Sequence, residues 1–174
     1  FTSSVIHVNS FDKCRNWINE NYDNLIYGGN CDDTKGFYIE PTVIKFEEVD
    51  NPRLKKEIFG PILSLVVYDE NELDNALSSC VNHTKYKLTG SIFTQSQKYM
   101  PLINKYVKSS VGNLYINDKS TGSVVGQQPF GGFGKSGSND KAGSKYFLTR
   151  FGNNVITKYN MNFTSKELFN EINN

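Results

Sequence analysis

Between Ile62 and Asp118 the chain alternates strand, helix, strand, helix, strand, and that order leaves few folds open. "ILSLVVY" (Ile62 to Tyr68) is an apolar run of strand length, of the kind buried inside a sheet. A helix follows from about Asn71 to Val81, carrying Leu73, Ala76, Leu77 and Cys80. "LTGSIFT" (Leu88 to Thr94) is a second strand and "SQKYMPLINKYVKS" a second helix, with Pro101 near the first turn, where a missing N–H does little harm. "VGNLYIND" (Val111 to Asp118) is a third strand. Strands separated by helices in this way are joined by right-handed crossovers. The fold class is therefore α/β, with a mostly parallel sheet.

Around that block the pattern is less regular. Ser10 is placed to cap a first helix whose Phe11, Cys14, Trp17 and Ile18 repeat at helical spacing. "LIYGGNCDDTKG" reads as a short strand entering a polar turn, and "FYIEPTVIKF" as extended chain with Pro41 at an edge or bend. "EEVDNPRLKKEIFGP" is a charged loop ending in Gly60-Pro61. Residues 119–145 form a long loop rich in Gly, Ser and Lys. "NNVITKY" is a late strand, and Thr164-x-x-Glu167 is a capping box ahead of a short amphipathic helix.

The long loop contains "GQQPFGGFGKSG", in which Gly132, Gly134 and Gly137 spell G-x-G-x-x-G and Gly134-Lys135-Ser136 ends like a P-loop. Neither nucleotide reading holds. A dinucleotide fingerprint needs a helix opening at its third glycine and an acid about 20 residues on; here Gly143 interrupts any helix and "NVITKYN" offers no acid. A P-loop would need glycine where Pro129 stands, and proline has no N–H to give a phosphate. The loop nevertheless hangs from the carboxyl end of an apolar strand, where ligands bind in parallel sheets. Its glycines allow a backbone to approach a ligand closely. Composition and spacing lead as far as a ligand-facing loop.

Charge points away from polyanionic partners: 19 basic against 18 acidic residues leave a net +1, which gives no reason to expect nucleic acid or an anionic membrane. No apolar run is long enough to span a bilayer. "FTSSVIHVNS" has neither the basic region nor the apolar core of a signal peptide. Cys14, Cys31 and Cys80 are widely spaced, and with only His7 and His83 beside them they make no metal pattern. A reducing compartment suits such a set.

Two segments together resemble the aldehyde dehydrogenase superfamily. "KKEIFGPILSLVVY" is similar to its E-x-F-G-P segment, and "PFGGFGKSG" to its late PFGGxxxSG loop. The run Asn117-Asp118-Lys119-Ser120-Thr121-Gly122-Ser123, followed by Gly126-Gln127-Gln128, resembles the proline-catabolic branch, the glutamate-semialdehyde dehydrogenases, as do "GGNCDD" and "YIEP". One departure is Phe133-Gly134-Lys135, where that branch carries Ala-Arg-Ala. The resemblance runs to about residue 160. It implies NAD-dependent oxidation of glutamate γ-semialdehyde to glutamate: a cysteine thiolate adds to the aldehyde, hydride leaves for the nicotinamide, and a glutamate-activated water hydrolyses the thioester.

Residue by residue, the resemblance implies that Glu57 binds the nicotinamide ribose hydroxyls, since one carboxylate can accept from both members of a vicinal diol. It places Phe59 near the nicotinamide end of the cofactor. Gly122 and Ser123 match the loop that anchors the substrate's α-carboxylate through backbone N–H groups and a hydroxyl, and Phe130 the aromatic lining beside its aliphatic stem. Without the motifs, Glu57 would read as a solvated charge, Phe59 as core and Ser123 as an ordinary loop hydroxyl.

No cysteine has the G-Q-x-C-like setting of the family's nucleophile: Cys14 lies on the apolar side of a helix, Cys31 in a polar turn, Cys80 near a helix end. All three read as structural, so no catalytic residue is assigned. The chain is expected to be the C-terminal part of such an enzyme. Residues 1–150 would be part of the catalytic domain, 151–160 an oligomerisation strand pairing through 154–159 with another subunit, and 161–174 a tail helix. The mitochondrial matrix is the location the resemblance implies. Two alternatives stay open: a non-catalytic truncated chain acting in assembly or binding, and a different aldehyde dehydrogenase branch.

Overall fold

Helix α1 (Val8–Glu20) forms where the apolar spacing predicts it, and Phe11, Cys14, Trp17 and Ile18 are all buried. Its cap is His7 rather than Ser10. The helix starts two residues before Ser10, which puts Ser10 inside the first turn; the extended His7 turns its ring Nδ1 back to accept from Ser10 N at 3.1 Å. The computed structural model describes residues 2–108, 110–119, 122–124 and 126–160, so the helix expected at 164–174 lies outside the described residues.

Four short strands follow: β1 (Leu25–Tyr27), β2 (Cys31–Asp32), β3 (Tyr38–Ile39) and β4 (Thr42–Phe46), then β5 (Ile62–Val66). β2 and β3 pair antiparallel by themselves, while β1, β4 and β5 form one sheet in that order. β4 alternates cleanly, burying Thr42, Ile44 and Phe46 on one face. Pro41 just precedes it, so the missing N–H falls outside the ladder and β4 can still be the central strand. β5 runs parallel to β4, from Thr42↔Ile62 to Phe46↔Val66.

The second half holds α2 (Leu73–Asn82), β6 (Tyr86–Lys87), β7 (Thr89–Ile92), α3 (Met100–Tyr106), β8 (Asn113–Ile116) and β9 (Phe133–Gly134). β7, α3 and β8 make the expected parallel crossover unit, in register from Thr89↔Asn113 to Ile92↔Ile116. Pro101 sits in the first turn of α3. The α/β class with parallel pairs is as the sequence predicts, but β5 takes β4 as its partner rather than β7. It is then an edge strand covered on one side, so "ILSLVVY" is not buried throughout: Leu63 is 59% exposed and Leu65 is exposed as well. "NNVITKY" forms no strand among the described residues; Val155, Ile156 and Tyr159 all face solvent, because a strand exists only with a partner.

Two lobes result. Residues 2–66 gather round one core of Phe11, Cys14, Trp17, Ile18, Ile39, Ile44, Phe46 and Ile58. The described residues of 69–151 bury fewer apolar side chains: Ala76, Ile103, Val107 and Tyr115. Among the described residues up to 159, no hydrogen bond or ion pair joins the lobes. Electrostatics do reach across. His83, beyond the end of α2, is held below the usual imidazole range first by burial and then by Lys55 of the first lobe, with Asp50 opposing.

Candidate functional site

The turn entering β5 is clamped on both sides of one residue. Ile58 is sunk in the first core, and the backbone oxygen of Glu57 accepts from Lys13 Nζ at 2.9 Å. A Cβ on Gly60 would overlap the Cys14 sulfur, and Pro61 O accepts from Thr42 N at 2.9 Å. Phe59, between these anchors, has φ 60 and is 83% exposed. A bulky residue in the left-handed region stores about 1–2 kcal/mol of strain. Here that strain presents an aromatic ring to solvent instead of burying it, a combination found at ligand-contact sites. The Glu57 carboxylate is exposed and makes no hydrogen bond or ion pair among the described residues, so both oxygens can accept from a ligand.

The second cluster lies beyond β8. Asn117 ends the strand with φ 54. Its side chain then acts as one more rung, Oδ1 accepting from Thr94 N at 2.8 Å and Nδ2 donating to Thr94 O at 2.9 Å. Gly122 has φ 74 with open space where a Cβ would stand. Ser123 follows, and its hydroxyl lies 3.3 Å from that of Tyr115, which is only 8% exposed. The backbone N–H groups of Gly122 and Ser123 have no acceptor among the described residues. Phe130, partly exposed, exchanges two backbone hydrogen bonds with Ala142 at 3.0 and 2.9 Å. The structure thus places Gly122, Ser123 and Phe130 on one loop from β8, and Glu57 and Phe59 on one turn in the other lobe, with no hydrogen bond, ion pair or ring contact between the two groups.

The glycines of "PFGGFGKSG" serve backbone packing. A Cβ at Gly112 would overlap Gly131 O, and one at Gly132 would press on Lys87 O and Leu88 Cα. Phe133 and Gly134 pair with β6, and no helix opens at Gly137. The loop is a brace laid across β6 and β8.

Three residues that matter here escaped the sequence reading: Asn113, Tyr115 and Lys141. The signal was present in part, because Asn113 and Tyr115 share a strand face by alternation and are polar where the neighbouring Leu114 and Ile116 are not. Lys141 gave none. It looks like any loop lysine, yet burial pushes its ammonium below the usual range, with Tyr115 opposing.

Two of the three cysteine thiols are held protonated by burial. Burial pushes the Cys14 thiol up, with Lys13 opposing. It also raises that of Cys31, with Arg15 opposing and Cys14 adding. A thiol held protonated is a poor nucleophile. Cys80 is exposed on α2. No cluster of three or more His, Cys, Asp or Glu fit to hold a metal occurs among the described residues.

The profile described as the aldehyde dehydrogenase family matches residues 1–154. The mitochondrial delta-1-pyrroline-5-carboxylate dehydrogenase of Danio rerio is 41% identical over 162 residues, covering 91% of this chain and 29% of the relative. That of Emericella nidulans is 46% identical over 158 residues, 87% of this chain and 28% of the relative. The chain therefore spans under a third of the length of these relatives. Among solved structures, 1-pyrroline-5-carboxylate dehydrogenase from Thermus with bound NAD superposes with TM-score 0.72 at 35% identity, covering 85% of this chain and 28% of that one. The Mycobacterium tuberculosis delta-pyrroline-5-carboxylate dehydrogenase gives 0.74 at 30% identity, covering 93% and 32%.

Proposed function

The chain belongs to the aldehyde dehydrogenase family, and on that premise we propose that it is the C-terminal part of an NAD-dependent dehydrogenase that oxidises glutamate γ-semialdehyde, formed from 1-pyrroline-5-carboxylate, to glutamate. The observation that carries this reading is the Ser123 hydroxyl, held by the buried Tyr115 beside the unobstructed backbone of Gly122. Two N–H groups unpaired among the described residues and a hydroxyl, offered by one loop, suit a carboxylate, to which charge-assisted hydrogen bonds give both affinity and orientation. Phe130 follows on the same loop and lines the path of an aliphatic stem. Tyr115 fixes the rotamer of Ser123, so the substrate's acid end is held while its aldehyde is left to residues outside this chain.

Glu57 and Phe59 fit the cofactor. The exposed carboxylate matches the ribose diol, and the strained, outward ring matches a flat aromatic partner. NAD, when bound, would supply the two-electron acceptor. The residues of this chain would hold its ribose and shield one side of its reactive ring from water. Because none of the three cysteines lies in a nucleophile's setting, the 174-residue chain is expected to be inactive alone. The exposed Val155, Ile156 and Tyr159 support a homo-oligomer contact through 154–159. Residues 1–150 would then be catalytic-domain structure, 151–160 the oligomerisation strand and 161–174 a tail. The mitochondrial names of several relatives support placement in the matrix.

The test is made in the full-length polypeptide. Ser123→Ala should raise the KM for glutamate γ-semialdehyde about tenfold, the value of one hydrogen bond to a charged group, and leave the KM for NAD unchanged. An unaltered KM for the semialdehyde, in a variant that folds, rejects the carboxylate anchor.

A further inference from the structure

The turn Pro129-Phe130-Gly131 has five backbone hydrogen-bonding groups, since Pro129 lacks an N–H, and three residues satisfy all of them. Asn113 Nδ2 donates to Pro129 O at 3.0 Å, and Asn113 Oδ1 accepts from Gly131 N at 3.4 Å. Ala142 takes both groups of Phe130. Lys141 Nζ donates to Gly131 O at 2.9 Å. The same ammonium donates to Asn113 Oδ1 at 3.2 Å and to Gly112 O, so its three protons are spent on three neutral oxygens. The adjacent Asp140 does not serve it; that carboxylate takes Arg150 at 2.8 and 3.0 Å and the Ser138 hydroxyl. Asn139 and Lys141 both have positive φ, 60 and 56, so the chain accepts strain to bring the lysine under the turn.

We propose that Lys141 is a positioning residue for substrate specificity: its ammonium, with Asn113, locks the turn that presents Phe130, and so sets the width available to the substrate's stem. This rests on the reading above of Phe130 as stem lining. A partly buried lysine whose three protons all go to neutral oxygens, with no carboxylate partner, is an expensive way to fill space, and an apolar side chain would serve packing better. Its use here is explained by geometry. A charged donor reaches the start of β8 and the turn at once, and it binds carbonyls more strongly than a neutral amide does. The contrast within the loop agrees with this: residues 126–128 are held by two backbone bonds to Val124 O at 3.0 and 3.3 Å, whereas 129–131 are held completely.

The experiment uses the full-length enzyme carrying Lys141→Met, which keeps the stem and removes the charge. Amide exchange at Phe130 and Ala142 should quicken at least about tenfold while β7 and β8 stay protected. The KM for glutamate γ-semialdehyde should rise about tenfold, that for acetaldehyde should change little, and kcat should be nearly kept, because a small misplacement is felt only by the longer substrate. Lys141→Arg should fall between, since a planar fork cannot meet three convergent oxygens. If Lys141→Met does not fold, Asn113→Ala removes the Pro129 and Gly131 ties and should move the same two readouts in the same direction. Unchanged exchange at Phe130 and Ala142, or an equal rise in KM for both aldehydes, overturns the proposal. An unsubstituted enzyme with no preference for the semialdehyde overturns the functional reading instead, and the exchange result still decides whether Lys141 holds the turn.

Discussion

The two lobes solve the same problem with unequal means. The first is filled: one helix lies on a sheet whose central strand alternates strictly, and eight side chains close the space. The second has two helices and two principal strands, and a cleft of about 800 Å³, reached by Leu73, Leu77, Ile92 and Phe93, remains between them. The difference is not one of composition, because both halves supply apolar residues. It lies in how many strands share a sheet. β4 has a neighbour on each side and its inner face is covered; among the described residues β7 and β8 have only each other. Order in the second lobe comes instead from polar braces: Asn113, Tyr115 and Lys141 each tie a loop to a strand, and Asn117 ties the chain just beyond β8 to that just beyond β7.

If that division is physical, damage should stay in the lobe that receives it. The largest effect is expected from Phe46→Ala, which empties part of the first core at a cost of about 3–5 kcal/mol. Trp17, the only tryptophan of the chain, sits in that core and reports on it alone. Urea unfolding followed by its fluorescence should shift strongly, while exchange at Tyr115 holds. Equal losses in both would make the lobes one cooperative unit. Next in size is Gly132→Ala, which forces a methyl group onto the backbone of Lys87 in β6 and of Leu88 beyond it and should destabilise the second lobe by about 1–3 kcal/mol. Here the Trp17 transition should not move.

Phe59→Gly sharpens the contrast between stability and function. Relief of the left-handed φ, less the extra freedom glycine brings to the unfolded chain, should stabilise the first lobe by up to about 1 kcal/mol. The full-length enzyme should at the same time bind NAD more weakly in a fluorescence titration. A stabilised variant with unchanged affinity would detach Phe59 from the cofactor.

The smallest effect concerns thiols. Burial raises Cys14 and Cys31 above the ordinary 9.0, so their thiolates are scarce at neutral pH, and native labelling should reach Cys80 first. The sign for stability follows from the same shift. The folded lobe keeps protons that the unfolded chain releases, so this contribution is whole below pH 9.0 and is lost as pH rises through the folded values. Labelling of Cys14 as fast as Cys80 would mean that the first core opens more readily than its packing implies.

Much of the local structure was legible. The apolar face of α1, the β7–α3–β8 crossover and the harmless place of Pro101 follow from spacing and backbone chemistry that act within a few residues. Strand partners are set by non-local packing, so the pairing of β5 with β4 across the loop of residues 47–61 could not be read from either strand. The cap was misplaced because an imidazole can do what a hydroxyl usually does. At the candidate site, motifs brought out Glu57, Phe59, Gly122, Ser123 and Phe130, but nothing in "SNDKAG" announced a lysine whose partners are carbonyls 10 to 29 residues away.

The first core draws every member from residues 11–58, and its sheet closes at Val66. On a ribosome, that stretch can emerge and collapse before the residues of β8 have been translated. The Phe59 turn would then take its shape early, against a finished helix, and the braces around Lys141 would assemble later beside a neighbour already in place. Short loops close fast and distant pairings slowly, so synthesis from the amino end makes the order of folding follow the order of the sequence.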